Sequence, residues 1–123
     1  MSIFICEDSP EMAKLICLKL KSVGYQVQAF SDGEELIRRL KFEIPDLLIL
    51  DVMMPGLDGK TILKFIKADP ALKHLKVVML TALSKEKDIV ECLDAGAEDY
   101  ITKPFSPAEL ASRVKKYMVR ADD

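Results

Sequence analysis

Two kinds of segment alternate along the chain. Short apolar, β-branched runs at Ile3–Cys6, Gln26–Phe30, Asp46–Leu50, Lys76–Leu80 and Tyr100–Thr102 predict five strands, and a stretch with helical spacing follows each. Leu47-Leu48-Ile49-Leu50 and Val77-Val78-Met79-Leu80 are continuously apolar, the pattern of central parallel strands covered on both faces. Punctuation marks the helix ends. Ser9-Pro10, Asp32-Gly33, Asp58-Gly59 and Ser106-Pro107 open the first, second, third and fifth helices, and Ser84 is placed to cap the fourth. Gly24, Asp69-Pro70 and Gly96 close the first, third and fourth.

The core stripes follow from three- and four-residue steps: Met12, Leu15, Ile16, Leu20 and Val23 in the first helix, Leu36, Ile37 and Leu40 in the second, Ile62, Leu63 and Ile66 in the third, and Leu110 and Val114 in the last. Five strand–helix pairs in strict alternation predict one α/β domain over residues 1–123, a doubly wound five-stranded parallel sheet in a three-layer (βα)5 architecture. No repeat, internal linker or low-complexity stretch interrupts it.

Composition narrows the possibilities. With 18 basic and 20 acidic residues the net charge is −2, so the chain lacks the basic footprint of a nucleic-acid binder. No apolar run approaches the ~20 residues that cross a bilayer, and the start runs directly into Glu7 and Asp8, unlike a signal peptide. Cys6, Cys17 and Cys92 lack metal-site spacing and fall in apolar patterns, so they read as small core residues. Together these features predict a cytoplasmic protein.

The candidate chemistry lies where strands end. Glu7-Asp8, Asp51, Thr81 and Lys103 sit just past the first, third, fourth and fifth expected strands, outside the core. Ligands of open α/β sheets collect at that edge. Taken singly, Asp8 is equally a helix cap, Lys103 a solvated loop lysine and Thr81 a turn residue; their joint placement points to a shared site. Three carboxylates brought together repel unless a cation joins them, and hard oxygen ligands suit Mg²⁺. Asp51 can attack phosphorus to form an acyl phosphate, with Lys103 neutralising charge and Thr81 donating a hydrogen bond.

From end to end the chain resembles the receiver domains of two-component response regulators. The matching blocks are Glu7-Asp8; Asp51 with Met54-Pro55-Gly56 and Asp58-Gly59; Thr81-Ala82; and Asp99-Tyr100-Ile101-Thr102-Lys103-Pro104-Phe105. The resemblance implies a flavodoxin-like fold with Asp51 phosphorylated by a histidine kinase or histidine phosphotransfer protein. It implies Mg²⁺ on the Asp8 and Asp51 side chains and the Met53 carbonyl, with Glu7 reaching it directly or through water. Lys103 would pair with the phosphoryl group, and the Lys103–Pro104 bond would be cis. Thr81 would swing toward the phosphoryl group and let Tyr100 turn inward, a two-state element biased by new charge.

The last segment is most similar to receivers of the winged-helix transcription-factor class. Those pair through the fourth helix, fifth strand and fifth helix, and Asp99, Glu109 and Arg113 match their dimer face. The basic partner expected for Glu109 on the fourth helix is missing, with Ile89 at the corresponding position and Lys85 and Lys87 nearby. Met53 and Leu83, each two residues past a site residue, predict a long-lived phosphoaspartate. The closing Arg120-Ala121-Asp122-Asp123 reads as the start of a linker to an output domain, although a complete single-domain regulator is also compatible.

Three other readings share the architecture. A Mg²⁺-dependent phosphatase with a nucleophilic aspartate needs an acid where Met53 stands. A flavodoxin-like cofactor binder needs a phosphate cradle, whereas Glu7-Asp8-Ser9-Pro10 is acidic and lacks glycine. A pseudo-receiver interaction module would work without phosphorylation.

Overall fold

Capped helices and continuously apolar strands assemble in the expected alternation in a computed structural model that describes residues 1–118. Arg120–Asp123, read above as the start of a linker, lies outside the described residues. The elements are β1 (Ser2–Cys6), α1 (Pro10–Ser22), β2 (Gln26–Phe30), α2 (Gly33–Leu40), β3 (Leu47–Asp51), α3 (Gly59–Ala68), β4 (Lys76–Thr81), α4 (Glu86–Asp94), β5 (Asp99–Thr102) and α5 (Pro107–Tyr117). The strands form one parallel sheet in the order β2-β1-β3-β4-β5. The chain steps outward from β1 to β2 and then back past β1 to β3, so the strand order reverses between β1 and β3.

Alternation within the apolar strands feeds two cores. Leu47 and Ile49 of β3 point to the face where Ile16 and Leu20 of α1 and Leu110 and Val114 of α5 pack. Leu48 and Leu50 point to the opposite face, beneath Leu36 and Leu40 of α2, Ile62, Leu63 and Ile66 of α3, and Cys92 of α4. A strand buried on both faces has no position left for a polar residue, which is why its sequence runs apolar without a break. Each such side chain contributes roughly 1.5–3 kcal/mol when fully buried. This is the doubly wound, flavodoxin-like three-layer architecture that the sequence predicts.

Four helices begin on the caps read from the sequence. Ser9 Oγ accepts from Met12 N at 3.3 Å, Asp32 Oδ1 from Glu35 N at 2.8 Å, Asp58 Oδ1 from Thr61 N at 2.9 Å, and Ser106 Oγ from Glu109 N at 3.0 Å. Each such cap is typically worth ~1 kcal/mol and fixes where its helix starts below the functional edge.

Three local expectations are corrected. Ser84 does not cap α4: the helix begins one residue later, its N-cap is Lys85, and no side chain caps it. Glu86 and Asp88 instead place negative charge in its first turn, against the positive end of the helix. In α1, Leu15 and Val23 are about half exposed, and the buried line is Ala13, Ile16 and Leu20. Val23 is already the C-cap, beyond the last inward turn. Finally, β3 and β4 extend to Asp51 and Thr81, so both residues belong to the ladder and do not follow it.

Cys6 and Cys92 are buried, Cys17 is partly buried, and all three are free thiols. Burial, and after it the charge of nearby Asp32, push the Cys6 thiol up to about 12, so it acts as a small hydrophobe. Among the described residues no helix is long and apolar enough to cross a membrane.

Candidate functional site

Sheet register brings the candidate residues together. Cys6 pairs with Leu50, Asp51 with Leu80 and Thr81 with Thr102, so the carboxyl ends of β1, β3, β4 and β5 stand level. The backbone continues the alignment one residue further: Glu7 N donates to Phe30 O at 3.0 Å, Val52 N to Leu80 O at 3.1 Å and Lys103 N to Thr81 O at 2.7 Å. The loops after β1, β3 and β5 are thereby anchored at their first residue.

The Lys103 ammonium bridges two acids, 2.9 Å from Glu7 Oε1 and 3.2 Å from Asp51 Oδ2. Asp51 Oδ1 accepts from Met53 N at 3.0 Å, which orients the carboxylate. The expectation that all these residues lie outside the core is corrected. Glu7, Asp51 and Thr81 are buried, with 2%, 3% and 0% exposure, while Asp8 is exposed. Buried charges persist where they are paired, and Lys103 supplies that pairing.

Glu7 Oε2 is buried and has no hydrogen-bond partner, the sole such side-chain atom among the described residues. Ligand oxygens of Glu7, Asp8 and Asp51 all lie within 4.8 Å of one another. An orphaned carboxylate oxygen inside a hard oxygen cluster fits a divalent cation that takes carboxylates and keeps some water. Burial, and then the adjacent Asp51 carboxylate, push the Glu7 pKa up to about 7. Burial works against the Lys103 ammonium, but its bonds to Glu7 and Asp51 outweigh that, and its pKa is raised.

Gly59 explains how α3 comes so close. Its N–H donates to Val52 O at 3.0 Å, and a Cβ there would collide with the Asp51 carbonyl oxygen. The Asp58-Gly59 pair therefore serves both as the cap of α3 and as the clearance behind Asp51.

Thr81 and Tyr100 meet at Leu83. Thr81 Oγ1 accepts from Leu83 N at 3.1 Å, and Tyr100 Oη donates to Leu83 O at 2.9 Å. Tyr100 is buried, its ring turned inward against Cys92 and α4. Thr81 makes its bond within the β4–α4 loop and not to Asp51 or Lys103. The Lys103–Pro104 bond is cis, as expected.

On the far side, Arg113 Nη1 lies 3.3 Å from Asp99 Oδ1 and Nη2 lies 3.6 Å from Glu109 Oε1. These three residues pair within one chain. Reading the sequence did not reveal Lys60, which bridges from α3 to Asp88 and Glu91 on α4. Its signal was faint: a lysine in one first turn and two acids three residues apart on another helix.

A family model described as the response regulator receiver domain matches residues 3–115. The chain is 40% identical over 118 residues to the phosphate regulon transcriptional regulatory protein PhoB of Escherichia coli, covering 96% of this chain and 52% of that protein. It thus spans about half the length of such curated relatives. Among solved structures, a putative response regulator from Chloroflexus aurantiacus superposes with a TM-score of 0.90 at 38% identity, covering 97% of this chain and 98% of that one. The Mn²⁺-bound form of the response regulator Rcp1 superposes with a TM-score of 0.80 at 27% identity, covering 94% and 89%.

Proposed function

The chain belongs to the response regulator receiver-domain family, and from that premise we propose that Asp51 accepts a phosphoryl group and that the domain acts as a reversible switch. The observation that carries this reading is the Lys103 bridge to Glu7 and Asp51 beside three carboxylates that share one small volume.

The phosphoryl donor is a histidine kinase or a histidine phosphotransfer protein. An Asp51 oxygen attacks phosphorus, the P–N bond to the donor histidine breaks, and the leaving imidazole recovers a proton. Met53 N–H holds the second Asp51 oxygen and so aims the attacking one. Lys103, already at Asp51, follows the charge onto the phosphoryl oxygens. Glu7 and Asp8 with Asp51 would hold Mg²⁺, joined by the Met53 carbonyl. That ion supplies charge neutralisation for the transferring group. The orphaned Glu7 oxygen and the Mn²⁺-bound relative support a cation there.

Readout runs through Thr81 and Tyr100. Turning the Thr81 hydroxyl toward a phosphoryl oxygen breaks its bond from Leu83 N, and Tyr100 reports that change to α4, β5 and α5. This α4–β5–α5 face controls an output domain or partner. It also serves as the face of a phosphorylation-dependent homodimer, in which Asp99, Glu109 and Arg113 exchange their pairs within the chain for pairs across it. Residues 1–123 act as one receiver domain, without turnover of a separate substrate. The domain itself needs no contact with nucleic acid or membrane, and its place is the cytoplasm.

Intact mass after incubation with acetyl phosphate and Mg²⁺ tests the central step. One phosphoryl mass on wild type and none on Asp51→Asn is expected. No gain on wild type, or an equal gain on the variant, defeats the proposal and favours a phosphorylation-independent interaction module.

A further inference from the structure

Among the helices, α4 has the weakest attachment to the core. Cys92 is its one buried residue, its N-terminus has no side-chain cap, and Val90 and Leu93 are exposed. What holds it from outside is a fork of ion pairs. Lys60, in the first turn of α3, places its ammonium 2.9 Å from Asp88 Oδ1 and 3.0 Å from Glu91 Oε2. Lys64, one turn further along α3, adds a looser contact of 3.7 Å to Glu91 Oε1. Asp88 and Glu91 are three apart and so face the same side of α4. The Lys60 side chain is only 23% exposed and the Asp88 side chain 19%, so solvent screens this pair less than an ordinary surface pair. The Lys60 stem also lines the groove that Met53, Pro55 and Leu83 form beside Asp51.

The first turn of α4, which holds Asp88, follows directly on the loop carrying Leu83, where Thr81 and Tyr100 make their bonds. Loop and helix therefore hang between two attachments: the Thr81–Leu83–Tyr100 bonds and the Lys60 fork. We propose that Lys60 is a positioning residue, a clip that binds α4 to α3 and holds the Leu83 segment where the Tyr100 ring stays buried. Among the described residues it bonds neither to Asp51 nor to the acids of the cation site, so it acts on the phosphoryl switch only through α4. This role rests on the receiver reading above, and phosphorylation is favoured to the extent that the clipped arrangement is populated.

Amide hydrogen exchange on the unphosphorylated full chain tests the clip directly, comparing wild type with Lys60→Met and Lys60→Arg. For Lys60→Met, exchange in α4 and residues 82–85 is expected to quicken roughly three- to tenfold while β1 and β3 are unchanged. Arginine can bridge the same two carboxylates, so Lys60→Arg should restore most of the protection. Lys60→Met should also take up phosphoryl from acetyl phosphate severalfold more slowly, with its Mg²⁺ affinity unchanged. Equal α4 protection in wild type and Lys60→Met, or a rise shared by every element, overturns the clip whatever phosphorylation shows. Failure of the wild type to gain phosphoryl mass overturns the receiver reading instead, and the two failures are read on different instruments.

Discussion

The ammonium of Lys103 lies 3.2 Å from Asp51 Oδ2 although 52 residues separate them, because β3 and β5 flank β4 and end at the same edge of the sheet. The same ammonium reaches Glu7, 96 residues away, at 2.9 Å. Lys103→Met removes the charge that would follow the phosphoryl group. Its uptake from acetyl phosphate should fall roughly a hundredfold, the scale of losing one aimed charge stabiliser. A time course of intact mass measures it, and uptake at the wild-type rate would remove Lys103 from the mechanism.

Gly59 permits the approach that places Asp51. A methyl group there meets the Asp51 carbonyl oxygen and the Val52 Cα, and backbone atoms cannot step aside as a side-chain tip can. Gly59→Ala should cost about 2–4 kcal/mol and impair phosphorylation as well. Urea unfolding checks the first effect; a variant within about 0.5 kcal/mol of wild type would show that the loop gives way easily.

The acidic cluster predicts stabilisation by a divalent cation. At a hundredfold excess over its dissociation constant, Mg²⁺ should add about 2.7 kcal/mol to the folded state. Asp8→Asn should weaken the effect without loosening the core, because Asp8 is exposed. Thermal melts with and without Mg²⁺ give the answer, and equal melting temperatures would leave the cluster without a metal role.

Met53 and Leu83 line one groove together with Val52, the residue that follows Asp51. Met53 is 55% exposed there. With apolar groups there, the phosphoaspartate should persist well beyond seconds, and Met53→Asp should shorten its life roughly tenfold by admitting and orienting water. Decay of the purified phosphoprotein decides this, and loss of the wild-type phosphoryl group within seconds would refute it.

The sheet was legible because its two buried faces demand unbroken apolar runs, as in Leu47–Leu50 and Val77–Leu80. The caps at Ser9, Asp32, Asp58 and Ser106 were equally legible, since side chain and helix start lie three residues apart. Contacts between elements were harder to read. That Glu7 is the tighter partner of Lys103, and that Lys60 grips α4, depends on how helices and strands are set beside one another, which local periodicity does not encode. Leu15 and Ser84 were misplaced for a related reason. Several phases of an amphipathic pattern compete within α1, and several residues compete to start α4; packing chooses among them.

Tyr100 carries its own pH signature. Burial first, then the negative groups Cys92 and Asp88, push its phenol up to about 12 from the ordinary 10. The folded chain thus holds the Tyr100 proton more tightly than the unfolded chain does. The resulting stability is complete below pH 10 and is lost as pH rises from there through about 12. The loss should be on the order of 2 kcal/mol and smaller in Tyr100→Phe, where the lysines remain as the common background. Denaturant unfolding at successive alkaline pH values, with tyrosinate absorbance followed in parallel, separates the two variants. A phenol of Tyr100 that ionises near pH 10 in the folded chain would mean that its ring is not held inward against α4 and its Leu83 bond is not kept, and the route from Thr81 to the output face would have to run elsewhere.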